Sequence, residues 1–74
     1  QPDILKIDGT LIKNIAENKF SRNIVETIQN FATKMEIKTV AEFVHNKEVF
    51  DIINQIGIDY TQGYYIGEPK AEIE

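Results

Sequence analysis

The chain has 74 residues, no cysteine, and 8 basic against 12 acidic side chains, for a net charge of −4. That size allows at most one small domain or a piece of a larger one, and the missing cysteines exclude disulfides, thiolate zinc sites and cysteine nucleophiles together. The acidic balance argues against a general nucleic-acid binder, and no apolar run approaches the roughly 18 residues of a membrane span. With no leader-like pattern at Gln1-Pro2-Asp3, the expected location is cytoplasmic, without DNA, RNA or membrane contact.

The first expected element is a strand over residues 3–8, an apolar run closed by Gly9. A short helical turn over 10–17 follows, burying Leu11, Ile12 and Ile15. A long helix is expected from Phe20 or Ser21 to about Met35, with Ser21 as N-cap. Phe20, Ile24, Ile28, Phe31, Ala32 and Met35 recur at helical spacing and predict its buried stripe, with Arg22, Glu26, Asn30 and Lys34 on the wet face. Residues 37–44 are rich in β-branched side chains and predict a second strand. A helix over 47–56 is expected next, capped by Asn46, buried through Val49, Phe50, Ile53 and Ile56, and ended by Gly57. A third strand over 58–66 runs into Gly67 and Pro69, and residues 70–74 are expected to form a frayed tail.

Strand, helices, strand, helix, strand implies right-handed crossovers and a parallel α/β sheet. Parallel sheets are normally covered on both faces, and these helices cover one. The chain therefore reads as part of a larger α/β protein, or as a piece that self-associates through the uncovered sheet face.

Residues two apart on a strand share a face. Lys6 and Asp8 point one way while Leu5 and Ile7 point the other; Val40 pairs with Glu42, and Tyr60 with Gln62. Each strand thus ends with a charged or amide group at its carboxyl end, where parallel α/β proteins collect catalytic groups. The competing reading makes Lys6 and Asp8 a structural ion pair, with Glu42 nearby. A lysine among carboxylates suits an anionic substrate, and carboxylates are hard ligands for Mg²⁺ or Mn²⁺, so phosphate chemistry fits best. His45 has no His or Cys partner and is assigned a surface or capping role. Tyr60, Tyr64 and Tyr65 can stack on a base or serve as core and loop anchors. Asp8-Gly9-Thr10 reads as a turn into a helix, since one glycine is too little for a phosphate loop.

Three segments carry a family resemblance. Asp3-Ile4-Leu5-Lys6-Ile7-Asp8-Gly9-Thr10-Leu11-Ile12 resembles the "D-x-L-K-I-D-x-x-F-I" segment of the EAL domain family. Val40-Ala41-Glu42-Phe43-Val44-His45 resembles its "A-E-G-V-E" segment, and Tyr60-Thr61-Gln62-Gly63-Tyr64-Tyr65-Ile66-Gly67-Glu68-Pro69 its closing "x-Q-G-Y-x-x-G-x-P". The resemblance implies that residues 1–74 are the C-terminal third, the last three parallel strands and their helices, of a TIM-type (β/α) barrel of roughly 240 residues. It also implies hydrolysis of the bacterial second messenger cyclic di-GMP to pGpG with Mg²⁺ or Mn²⁺ in the intact domain, and no bound metal or activity in the fragment alone.

By the same resemblance, Lys6 falls on the active-site lysine that contacts the phosphate, and Asp8 on a supporting aspartate. Glu42 falls on a glutamate near the second metal, reaching it through water and acting as general base or water-positioning group. Gln62 falls on the pocket-supporting glutamine. The E-A-L motif, the metal-binding Asn and Glu and the "D-D-F-G" loop do not occur among these 74 residues. Phe43 stands where the motif has Gly, and His45 where it has its second Glu. Those departures keep a second reading open, a degenerate EAL domain acting as a non-hydrolytic cyclic di-GMP receptor or protein-interaction module.

Overall fold

The computed structural model describes residues 3–62. In chain order these form β1 (Ile4–Ile7), α1 (Gly9–Lys13), α2 (Lys19–Met35), β2 (Lys38–Ala41), α3 (Lys47–Ile56) and β3 (Tyr60–Thr61). The strands make one parallel sheet in the order β1-β2-β3. Ile4 to Ile7 register with Lys38 to Ala41, and Val40 and Ala41 with Tyr60 and Thr61. The α/β class and the expected order of elements hold. β2 is shorter than expected, and of the third strand only Tyr60–Thr61 is regular among the described residues. Residues 63–66 of that expected strand, and the tail, lie outside the described residues.

The sheet has two unlike faces. Leu5 and Ile7 share one with their register partners Thr39 and Ala41, and the helices pack there. Ile7, Ile12, Ile15, Val25, Ala41, Val44, Val49, Phe50, Ile53 and Ile58 form this core, every one nearly or fully buried. Each large aliphatic among them contributes roughly 1.5–3 kcal/mol by leaving water. On the opposite face Lys6, Val40 and Tyr60 lie abreast; Val40 is fully buried, Tyr60 half-buried and Lys6 exposed.

The caps explain the helix boundaries. Asn18, not Ser21, starts α2: its side-chain oxygen accepts from the backbone N–H groups of Phe20 and Ser21 at 2.9 and 3.2 Å. Ser21 is buried one turn inside. Asn46 caps α3 as expected, accepting from Val49 N–H at 2.9 Å. Gly57 ends α3 with φ of 97°, a left-handed conformation that glycine adopts without penalty. Helix α2 ends on Glu36, also left-handed, and Ile37 N–H closes the end by donating to Ala32 O at 2.8 Å.

The buried face of α2 is rotated from the one its apolar spacing predicts: of that stripe Ala32 is buried and Ile24 and Ile28 are half-buried. Ser21, Val25, Gln29 and Ala32 are buried, while Phe20, Phe31 and Met35 are more than half exposed. The reason is polar. Gln29 donates through Nε2 to Thr33 Oγ1 and Gly57 O, and accepts from the Thr39 hydroxyl at 2.7 Å. A buried amide satisfied three ways fixes the rotation of the helix, because leaving it unbonded would cost about 1–3 kcal/mol.

Candidate functional site

Three corners converge at the carboxyl ends of the strands. The first is the exit of β1. Asp8 occupies the N-cap position of α1, with its carbonyl accepting from Leu11 and Ile12 N–H. Its carboxylate makes no capping bond, so the side chain is not consumed by the helix it introduces. The turn read from Asp8-Gly9-Thr10 is thus a helix entry, as expected.

The second and third corners are tied together. Gln62 N–H donates to Ala41 O at 2.7 Å, which continues the parallel ladder beyond β3. A regular ladder would next bring the N–H of residue 43 to Gln62 O, because each residue bonds to both neighbours of its partner. Instead Val44 N–H donates there, at 3.5 Å. One residue has been slipped in, forming a bulge, and Phe43 takes it up with φ of 63°. That left-handed conformation costs a non-glycine residue roughly 1–2 kcal/mol. It follows that the glycine of the resembled motif has been replaced at a position whose backbone suits glycine.

Lys6, Asp8, Gly9, Thr10, Glu42, Phe43 and Gln62 line one open groove of about 460 Å³. The groove brings the four sequence-derived candidates, Lys6, Asp8, Glu42 and Gln62, to one place. The ion-pair alternative for Lys6, Asp8 and Glu42 is not realised: no salt bridge joins them among the described residues, where the ion pairs are Arg22–Glu26 and Lys47–Asp51. Lys6 and Asp8 are exposed, and Glu42 and Gln62 half-buried. The arrangement sets an ammonium, two carboxylates and an amide around a space open to solvent. It can bind an anion through Lys6, accept a proton at Glu42 or Asp8, and orient a polar ligand through Gln62.

The groove offers oxygen donors of the class that Mg²⁺ and Mn²⁺ take, but no group of three or more His, Cys, Asp or Glu residues able to hold a metal occurs among the described residues. Asp8 and Glu42 are the carboxylates that the groove would present to such an ion.

His45 stands outside the groove, half-buried, with Nδ1 3.4 Å from Phe43 O. Tyr60 is half-buried beside Val40, and Tyr64 and Tyr65 lie outside the described residues. Sequence reasoning missed Phe43, Gly9 and Thr10 as groove walls. The signal for Phe43 was available in a bulky residue standing where the resembled motif has glycine. A second cavity, of about 390 Å³, lies at the opposite strand ends, lined by Gln29, Thr33, Glu36, Ile37, Lys38, Gly57 and Asp59.

A parallel α/β chain with its polar groove at the carboxyl ends of its strands belongs to the class of α/β proteins whose sites are built at that edge. The family model of the EAL domain matches residues 1–69, and the chain belongs to that family. It is 50% identical over 68 residues to the cyclic di-GMP phosphodiesterase PdeB of Shewanella oneidensis, covering 92% of this chain and 8% of that protein. It is 43% identical over 72 residues to the cyclic di-GMP phosphodiesterase PdeF of Escherichia coli, covering 97% and 10%. The cyclic di-GMP phosphodiesterase PdeA of Borreliella burgdorferi is 40% identical over 68 residues, covering 92% and 10%. The chain thus spans about a tenth of the length of these relatives.

Proposed function

We propose that the chain supplies the last three strands and one side of the active site of a barrel-shaped cyclic di-GMP phosphodiesterase, cytoplasmic and bacterial, that releases pGpG. The observation carrying this is the convergence of Lys6, Asp8, Glu42 and Gln62 on one groove at the strand ends, in a chain of the EAL family. Cyclic di-GMP is the substrate for which the relatives PdeB and PdeF are named.

In this reading the Lys6 ammonium sits against a non-bridging phosphoryl oxygen and offsets charge that grows there as water attacks. Glu42 orients that water and takes its proton while the new P–O bond forms and the bond to the ribose 3′ oxygen breaks. Gln62 holds the pocket side of Glu42 in place, the two being neighbours through the Gln62–Ala41 bond. Asp8 steadies the Lys6 corner. Mg²⁺ or Mn²⁺ would supply further charge neutralisation and an acidified water, with Glu42 reaching the ion through water and the other ligands coming from family segments outside these 74 residues. The chain alone, lacking those ligands, is inactive.

The test is a complete EAL domain containing this chain, assayed for pGpG release with Mg²⁺ or Mn²⁺. Turnover that falls at least 100-fold in both Lys6→Ala and Glu42→Gln supports the reading. Absent turnover with the metal-binding residues intact removes it.

The replacements at Phe43 and His45 favour one second reading, a receptor or interaction module that binds cyclic di-GMP without cleaving it. Calorimetric binding without metal-dependent turnover selects it, and efficient hydrolysis eliminates it.

A further inference from the structure

We propose that Phe43 is a positioning residue. Its ring, seated on Gly9 and held there by a left-handed backbone, sets the spacing between the corner carrying Glu42 and the corner carrying Lys6 and Asp8. The activity readout rests on the phosphodiesterase reading; the geometry does not.

Four observations carry it. Phe43 has φ of 63°, a conformation that L side chains avoid, and it has it inside a bulge pinned on either side by Ala41 O and Val44 N–H. Strain of this kind survives only where the surroundings over-determine it. The ring is not held there by burial in the core, since Phe43 is 55% exposed and absent from the core cluster. What it meets instead is the β1–α1 corner: a Cβ placed on Gly9 would lie 2.7 Å from Phe43 Cδ2, 3.1 Å from Cγ and 3.2 Å from Cβ. And the residues flanking this contact, Asp8 before Gly9 and Glu42 before Phe43, both line the groove.

The chain of force is therefore short. The backbone that carries Glu42 also carries the Phe43 ring, and the ring rests on the backbone that carries Asp8. Moving the ring moves Glu42 relative to Lys6 and Asp8. Gly9 opens α1 without a positive φ, so alanine suits its backbone, and the three atoms nearest an added Cβ all belong to the Phe43 side chain, which would have to shift.

The experiment uses a complete EAL domain containing this chain, as wild type, Gly9→Ala, Phe43→Gly and the double variant. Gly9→Ala should lower kcat for cyclic di-GMP tenfold to about a hundredfold, with KM within about threefold, because a small misplacement of a catalytic group is felt in the chemical step. Phe43→Gly, which keeps the bulge and removes the ring, should lower kcat about tenfold, and Phe43→Tyr should restore it. In the double variant the three atoms nearest the added Cβ are gone, so the loss should be no greater than in Phe43→Gly alone. A wild-type kcat in Gly9→Ala, losses that multiply in the double variant, or a rise in KM alone in Phe43→Gly would each overturn the proposal. If the unsubstituted domain hydrolyses nothing, the phosphodiesterase reading fails by itself, and the lock is read from hydrogen exchange at the Val44 amide. Gly9→Ala should then speed that exchange and the double variant should abolish the acceleration; unchanged exchange in Gly9→Ala overturns the lock.

Discussion

The two ends of the same strands use the same kinds of side chain in opposite ways. At the amino end, Thr39 is fully buried and its N–H donates to Asp59 Oδ2 at 3.0 Å. Its hydroxyl donates to Gln29 Oε1 and in turn accepts from Asp59 N–H, while Gln29 reaches Gly57 O and so ties α2 to the end of α3. At the carboxyl end, Lys6, Asp8, Glu42 and Gln62 surround a groove, and no described hydrogen bond or ion pair joins their side chains. Polar groups that satisfy one another hold elements together. Polar groups gathered without satisfying one another add little to the fold by their proximity and stay open to solvent or a ligand.

That contrast can be broken from either end. The largest effect is expected at the carboxyl end, in function and not in stability. Lys6→Ala in a complete EAL domain should reduce kcat by about 10²–10³, yet move the melting temperature by no more than a degree or two, because an exposed side chain without an ion pair among the described residues supports little of the fold. A large drop in melting temperature would show that the groove residues are structural after all. Thr39→Val should do the reverse. Valine fills the same volume but leaves Gln29 Oε1 and Asp59 N–H without their hydroxyl partner, a loss of about 1–3 kcal/mol measurable by urea unfolding, while KM for cyclic di-GMP stays unchanged.

The strand ends were legible in the sequence because alternation is a strict rule: once Leu5 and Ile7 are assigned to the core, Lys6 and Asp8 have no other side to take. The face of α2 was not legible, since the helix carries two apolar stripes. One contains Val25 and is interrupted by Ser21 and Gln29; the other runs through Phe20, Ile24, Ile28, Phe31 and Met35, and Ala32 lies on the border of the two. Periodicity selects the uninterrupted stripe. The structure buries the interrupted one, because Thr39 and Gly57, far away in sequence, provide the hydrogen bonds that let Gln29 be buried. The cap was misplaced for a related reason: Ser21 has the right chemistry, but Asn18 has it as well and comes one turn earlier. The convergence of the four groove residues followed from the strand pattern, whereas the bulge at Phe43 depends on how Gln62 pairs across the sheet, and no local pattern encodes that.

Two smaller perturbations sharpen the comparison along α2 itself. Asn18→Ala removes the acceptor for Phe20 and Ser21 N–H and should cost about 1 kcal/mol, a shift of roughly 2–4 °C in the melting temperature of a complete EAL domain. Ser21→Ala removes no such acceptor, so a cap-sized loss there and none at Asn18 would reverse the assignment. The smallest effect belongs to Glu26→Gln. Arg22 Nε donates to Glu26 Oε2 at 3.0 Å, one helical turn apart, with both side chains more than a third exposed. Such a pair is worth about 0.3–0.5 kcal/mol, since water screens it and two long side chains must be held still. The loss should shrink further in molar salt, where the screening length falls to about 3 Å. Salt should leave the Thr39→Val loss in place, because the bonds it breaks lie in the interior beyond the reach of mobile ions. A salt-insensitive Glu26→Gln would place that carboxylate in the same category as the buried network, and the division between bonded interior and solvated surface would have to be redrawn on this helix.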